Sequence, residues 1–210
     1  MVVTMDVREA LLRAAIKVFA ETGSRGATTR RIAQEANVNE VTLFRHFKSK
    51  DDLLNAAVQF FAAQLTTRTL PDDPVDPRTE LVEWARAQHR ELYKVRVLVR
   101  RAMGEFEEKP ENCAHSMQAS IRIANDLTDY LRTLKRKGLA SGDWDERAAA
   151  AMLLGAIFSD AMGRDTTPEK YPYAMRDAAE KYVDLLLHGI GVPRATAPAE
   201  RVSAKSAHKS

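Results

Sequence analysis

The stretch from Thr28 to Lys50 reads TTRRIAQEANVNEVTLFRHFKSK. The side chains of Thr28, Thr29, Arg30, Thr42, Arg45, His46, Ser49 and Lys50 all donate hydrogen bonds. Donors grouped this way suit phosphates and base edges. Helix N-termini offer free amides and the positive end of the helix dipole to a phosphate. A helix face of arginine, threonine and histidine suits the major groove, with phosphate contacts on either side.

Two short helices must position these donors. The first is expected over about 29–36, with Thr28 or Thr29 as N-cap and Ile32, Ala33 and Ala36 facing inward. Asn37 and Val38 make a turn short enough to force a sharp angle, and Asn39 caps a second short helix over about 40–47. Ile32, Ala33, Val38, Leu43 and Phe47 then form a small helix-turn-helix core, with Ala33 at the close crossing. Ahead of this pair, Leu12, Ala15, Ile16, Phe19 and Ala20 fall on one face of a helix over about 6–22, which Gly23 stops and after which Gly26 keeps the turn tight. After it, Ser49 caps a helix over about 50–65, with Asp51 and Asp52 in the first turn.

The segment "TT-x-x-IA-x-x-x-x-V-x-x-x-TL-aromatic-x-HF-x-SK-x-x-L", ending at Leu53, closely resembles the DNA-binding unit of TetR-type bacterial transcriptional regulators. The resemblance is specific over about residues 8–65. It implies that Arg30 reaches a base edge, that Thr28, Thr29 and Lys50 hold phosphates, and that Asn39, Glu40, Val41, Thr42, Phe44, Arg45 and His46 belong to the DNA-facing set. The chain departs from the pattern twice. Phe44 stands where a tyrosine is usual, so it offers an apolar contact with sugar or a thymine methyl. Asn37 stands where a glycine is usual, and asparagine tolerates a positive φ better than other non-glycine residues. Glu40 either accepts from a cytosine amino group or points away.

The expected class is all-α: an N-terminal helix-turn-helix DNA-binding unit with its connecting fourth helix (1–67), a helical-bundle effector-binding and dimerisation domain (68–190) and a disordered basic tail (191–210). The stretch LPDDPVDP, residues 70–77, cannot continue a helix and separates the units. Further helices are expected over 78–102, 104–110, 113–138, 144–164 and 171–189. Net charge is +2 over residues 1–67, −2 over 68–188 and +3 beyond, so the basic excess sits at the two ends.

Several function classes are excluded by composition. Apolar residues make up 45% and charged residues 29%, close to the globular average, so the chain is neither disordered overall nor fibrous. Cys113 is the single cysteine, which excludes a disulfide framework and a multi-thiolate metal site. His115 lies nearby, but two ligands do not make a zinc centre. No H-E-x-x-H, G-x-S-x-G or P-loop occurs. An enzyme, a cofactor and a metal are not expected. The longest apolar run, Ala148 to Phe158, falls short of the roughly 20 residues that span a bilayer. Asp6, Arg8, Glu9 and Arg13 interrupt any signal peptide. A cytoplasmic protein with no membrane contact is expected.

The resemblance further implies a homodimer on a palindromic duplex operator, repressing until a small apolar or amphipathic effector releases it. An alternative keeps the DNA reader but gives the second unit a protein partner or no ligand. Candidate pocket residues are Trp84, His89, Leu92, Met103, Phe106, Met117, Ile121 and Phe158, with Asn125 and Asp126 as further polar anchors. The last two helices are expected to pair between copies through Leu153, Leu154, Ile157, Val183, Leu186 and Leu187, with Ala148 to Ala151 and Gly155 permitting close approach.

Overall fold

The computed structural model of the chain describes residues 6–64, 68–105 and 113–193, with the backbone alone at 62–64, 105 and 113–117. The described residues form nine α-helices and no strand: α1 Val7–Gly26, α2 Thr29–Glu35, α3 Glu40–His46, α4 Lys50–Gln64, α5 Pro77–Lys94, α6 Arg96–Glu105, α7 Cys113–Arg136, α8 Glu146–Gly163 and α9 Met175–Gly189. A 3-10 turn, Pro168–Lys170, precedes α9. No helix among the described residues is long and apolar enough to cross a membrane.

The caps follow the sequence signals. Thr28, Asn39 and Asp145 each accept a backbone N–H from the third residue onward, and Ser49 Oγ accepts from Asp52 N–H. Asp76 caps α5, and Glu80 Oε1 turns back to accept from the N–H groups of Val75 and Asp76, at 2.9 Å each. In α1, Gly23 is buried at φ 70°, ψ 179°, a region open essentially to glycine alone. The helix therefore breaks there and resumes for one turn to Gly26. A Cβ on Gly26 would lie 2.5 Å from Thr22 Cβ, while the Thr22 hydroxyl is held on the Val18 carbonyl at 2.8 Å. Gly26→Ala is accordingly expected to cost about 1–3 kcal/mol by overpacking. A chemical-denaturation midpoint equal to wild type would show that Thr22 moves aside freely.

Two cores result. The first joins Leu11, Leu12, Val18 and Phe19 of α1 with Ile32 and Ala33 of α2, Leu43 and Phe47 around α3, and Leu53 and Leu54 of α4. The second joins Leu81 and Trp84 of α5, Leu127, Leu131 and Leu134 of α7, Leu153 and Ile157 of α8, and Val183 and Leu187 of α9. Helix α6 belongs to both halves. Leu98 and Ala102 pack against the first core. Arg101 Nη2 donates to the Glu21 carbonyl at 3.2 Å. Arg96 Nε reaches Asp165, just past α8, at 2.7 Å, and Arg100 grips the same carboxylate at 2.9 and 3.0 Å. The two guanidiniums, Arg100 foremost, hold the Asp165 carboxyl down at about 2.

The expected helix over 78–102 is two helices, interrupted at Val95 (φ −100°, ψ 7°). The expected 104–110 helix is not separate at its start, because Gly104 and Glu105 end α6; residues 106–112 lie outside the described residues. The last helix starts at Met175 rather than 171, because Tyr171 is drawn into the core, where its hydroxyl donates to the Ser159 carbonyl at 2.7 Å. Val192, expected in the tail, packs against the second core. Residues 65–67, at the expected boundary, and 194–210 lie outside the described residues.

Candidate nucleic-acid interface

The turn between α2 and α3 is a helix C-cap with reciprocal bonds. Asn37 takes φ 55°, Val38 N–H donates to the Ala33 carbonyl at 2.9 Å, and Asn37 N–H donates to Gln34 at 3.1 Å. This is a Schellman closure built on asparagine. It turns Val38 back onto the core beside Ala33 and sets the angle of α3. Leu43 and Phe47 point inward and are buried, so the opposite face of α3 must point out.

It does. Val41 is 63% exposed and Phe44 51%, and Arg45 and His46 are exposed beside them. Arg30, on α2, is exposed as well. Three of the first unit's other basic groups are paired with acids: Arg13 with Glu9 at 2.7 Å, Lys17 with Glu35 at 2.6 Å and Arg31 with Glu21 at 3.2 Å. Thr28 serves as the α2 cap and Asn39 as the α3 cap, the latter also accepting from the Thr42 hydroxyl at 2.8 Å. Thr29 donates its hydroxyl to Glu40 Oε1 at 2.5 Å, which ties the start of α2 to the start of α3. Lys50 Nζ donates to the Ser24 carbonyl at 2.9 Å. An ammonium has three donors, so two remain for an anion.

The second unit carries a buried polar cluster. Asp160 of α8 is completely buried and accepts both Arg164 Nε and Nη2, at 2.6 and 2.7 Å, and the Tyr182 hydroxyl at 2.6 Å. Burial alone would raise its carboxyl, but the Arg164 and Tyr182 bonds outweigh it and leave it below the ordinary range. His89 of α5 is pushed down by burial, with Arg164 adding to that and Asp160 opposing it. A neutral imidazole makes no ion pair, so the 3.2 Å approach of His89 Nε2 to Asp160 is a contact and not a salt bridge. His89 Nε2 and Gln88 Nε2 have no hydrogen-bond partner among the described residues.

Of the candidate pocket residues, Trp84 and His89 are buried, and Leu92 and Phe158 are half-buried. Met103 and Ile121 face solvent in the single chain, as do Asn125 and Asp126. Phe106 and the side chain of Met117 lie outside the described residues, as do the side chains of Cys113 and His115. Gln88 was not anticipated; its signal was a lone amide among the buried positions 81, 84 and 85 of one helix.

The expected interface residues are largely engaged within the chain itself. Leu153, Ile157, Val183 and Leu187 are spent in the chain's own second core, with Leu186 nearly so and Leu154 half-buried against it. The outward apolar stripe is instead Ala148, Ala151, Met152 and Gly155 on α8, with Leu185 on α9. Met152 and Leu185 are 72% and 73% exposed. Between the helices lies an apolar groove of about 350 Å³, and its lining includes the expected Leu153 and Leu186 beside Trp144, Met152, Tyr182 and Leu185.

Comparison with known proteins agrees with the helix-turn-helix geometry. Residues 11–57 match the family described as "Bacterial regulatory proteins, tetR family". An HTH-type transcriptional repressor of Mycobacterium tuberculosis is 30% identical over 161 residues, covering 76% of this chain and 82% of the relative. Among solved structures, a TetR-family regulator of Mesorhizobium loti superposes with a TM-score of 0.71 at 22% identity, over 89% of this chain and 97% of the other. The regulator FadR of Bacillus subtilis, solved in complex with stearoyl-CoA, gives 0.66 at 20% identity, over 86% and 98%. The chain therefore belongs to the TetR family of bacterial transcriptional regulators. It is an all-α DNA-binding regulator and not an enzyme.

Proposed function

We propose that the protein acts in the cytoplasm as a homodimeric repressor that occupies a palindromic duplex operator and leaves it when a small apolar or amphipathic effector binds the second unit. The observation that carries the DNA half is the α3 face. Leu43 and Phe47 are buried while Val41, Phe44, Arg45 and His46 project from one short helix, with Arg30 exposed on the helix before it. Thr28 and Lys50 take the phosphates flanking that face, Lys50 while anchored on Ser24, and Thr29, whose hydroxyl is given to Glu40, can add only its backbone N–H at the start of α2.

Dimerisation is supported by the outward stripe of α8 and α9. Small residues at Ala148, Ala151 and Gly155 admit a second helix closely, and Met152 and Leu185 supply the apolar area. Two reading helices per particle double the base contacts on a site with matching symmetry. Effector binding is supported by Gln88 Nε2, which is buried without a hydrogen-bond partner among the described residues. A buried donor without a partner costs about 1–3 kcal/mol, and a ligand oxygen would offset that. FadR, which shares the fold, holds a long-chain acyl thioester. An effector that prefers a second conformation by about 1–3 kcal/mol would weaken operator binding roughly 5–150-fold.

The test is a fluorescence-anisotropy titration against the DNA upstream of the protein's own gene, with a scrambled duplex as control, near physiological salt. Nanomolar binding to the native duplex alone supports the reading. Equal weak binding to both, repeated on duplexes from across the genome, sinks it.

A further inference from the structure

The polar groups at the start of the reading helix are already engaged inside the protein. Asn39 Oδ1 accepts both the N–H and the hydroxyl of Thr42, at 2.7 and 2.8 Å. Glu40 Oε1 accepts the hydroxyl of Thr29 at 2.5 Å. A glutamate bound back to α2 in this way is not extended toward a cytosine amino group. What α3 presents outward is therefore apolar and cationic: Val41 and Phe44, 63% and 51% exposed, with Arg45 and His46 alongside.

The major-groove edge of DNA has one apolar feature, the 5-methyl group of thymine. Val41 and Phe44 stand three residues apart on α3. Their Cβ atoms are thus about 5–6 Å apart on one side of the helix, with an axial offset of about 4.5 Å. That offset is close to the roughly 3.4 Å between successive bases of a strand. The neighbouring cations match the charge of the phosphates on either side and bring this face to the groove.

We propose that Val41 and Phe44 determine operator specificity by packing on the 5-methyl groups of two neighbouring thymines in each half-site. The inference rests on the DNA-binding reading above. It makes methyl contact, and not a glutamate–cytosine bond, the sequence filter at the N-terminal half of α3.

The experiment starts from the duplex that the full-length protein enriches from a random-sequence library. Every thymine in that duplex is then replaced by uracil, which removes the methyl and keeps base pairing. Each lost methyl contact is expected to weaken binding about fourfold. With two methyls in each of two half-sites, the loss is on the order of a hundredfold. The Val41→Ala/Phe44→Ala double variant should bind the thymine duplex more weakly than wild type and make no distinction between the thymine and uracil forms. Both positions are exposed, so its thermal unfolding should match wild type.

Equal binding of wild type to the two duplexes overturns the proposal, since the side chains would then rest on sugars. A thymine preference retained by the double variant also overturns it, since the methyls would then act through duplex shape. An enriched duplex without neighbouring thymines in its half-sites does the same. Failure to enrich any duplex removes the DNA-binding reading itself, and the proposal with it.

Discussion

Arg45→Ala is expected to weaken operator binding on the order of a hundredfold or more at fixed salt. A bidentate base contact contributes about 1–3 kcal/mol, and a twofold complex loses one in each half-site. Arg45 is exposed, and its neighbours Leu43 and Phe47 do the packing. The variant should therefore melt like wild type and keep its oligomeric state. Arg31→Ala is the matched control. Arg31 sits one residue past Arg30 but is paired with Glu21 at 3.2 Å, on the flank of the reading face. Its loss should leave operator affinity close to wild type, since its guanidinium is engaged by Glu21. The salt slope separates two roles for Arg45. A base contact leaves the slope of wild type, whereas a phosphate contact, lost once in each half-site, lowers it by about 2. Unchanged affinity in Arg45→Ala would refute the assignment of α3 as the reading helix.

The second large effect is expected at Asp160. This carboxylate is completely buried and holds Arg164 through two bonds and Tyr182 through one. Asp160→Leu leaves the guanidinium without its counter-charge in a largely dry site, at a cost of about 3–5 kcal/mol. For a chain of this size that corresponds to a fall in Tm of about 6–20 °C. Adding Arg164→Met should recover much of the loss, because a buried pair replaced on both sides by apolar groups is often neutral. A single variant as stable as wild type would mean that Arg164 turns to solvent.

The same cluster gives the protein an acid limit with a definite sign. Folding lowers the His89 pKa and the Asp160 pKa, so the folded state binds fewer protons than the unfolded state. Stability is thus fullest above the ordinary values. His89's share is lost as the pH falls below its unfolded value of 6.5 toward its lower folded one. Asp160's share is lost only below 3.8.

The DNA-reading unit was legible because its signals are local. A cap, an inward residue and a turn lie within a few positions of each other from Thr28 to Phe47, and Asn37 met the one backbone demand that a glycine usually meets. Even so, the Thr29–Glu40 bond was not anticipated, because it depends on the angle between two helices. The break at Val95 had no glycine or proline to mark it. It follows from α6 turning one way toward the first core and the other toward Asp165. The inward and outward sides of α8 were not legible because the helix is apolar nearly all round. Leu153 and Ile157 face inward while Ala151 and Met152 face out, and a pattern without a polar side carries no phase. Asp160 closed an apolar run in the sequence, and only packing revealed that it is fully buried and holds both Arg164 and Tyr182.

Helix α6 has a consequence for how such a protein can be taken apart and recombined. The chain's apparent seam, the proline-rich stretch at 70–77, is not the seam of its packing. Leu98 and Ala102, more than twenty residues further on, complete the reader's core, and Arg101 fastens to the end of α1. A reader severed at the proline stretch would carry an open apolar socket. A hybrid that joins this reader to a foreign sensor would inherit a joint with no mating part. The natural unit of exchange runs through α6, so reader and sensor are separable in sequence only at a point where they are not separable in space.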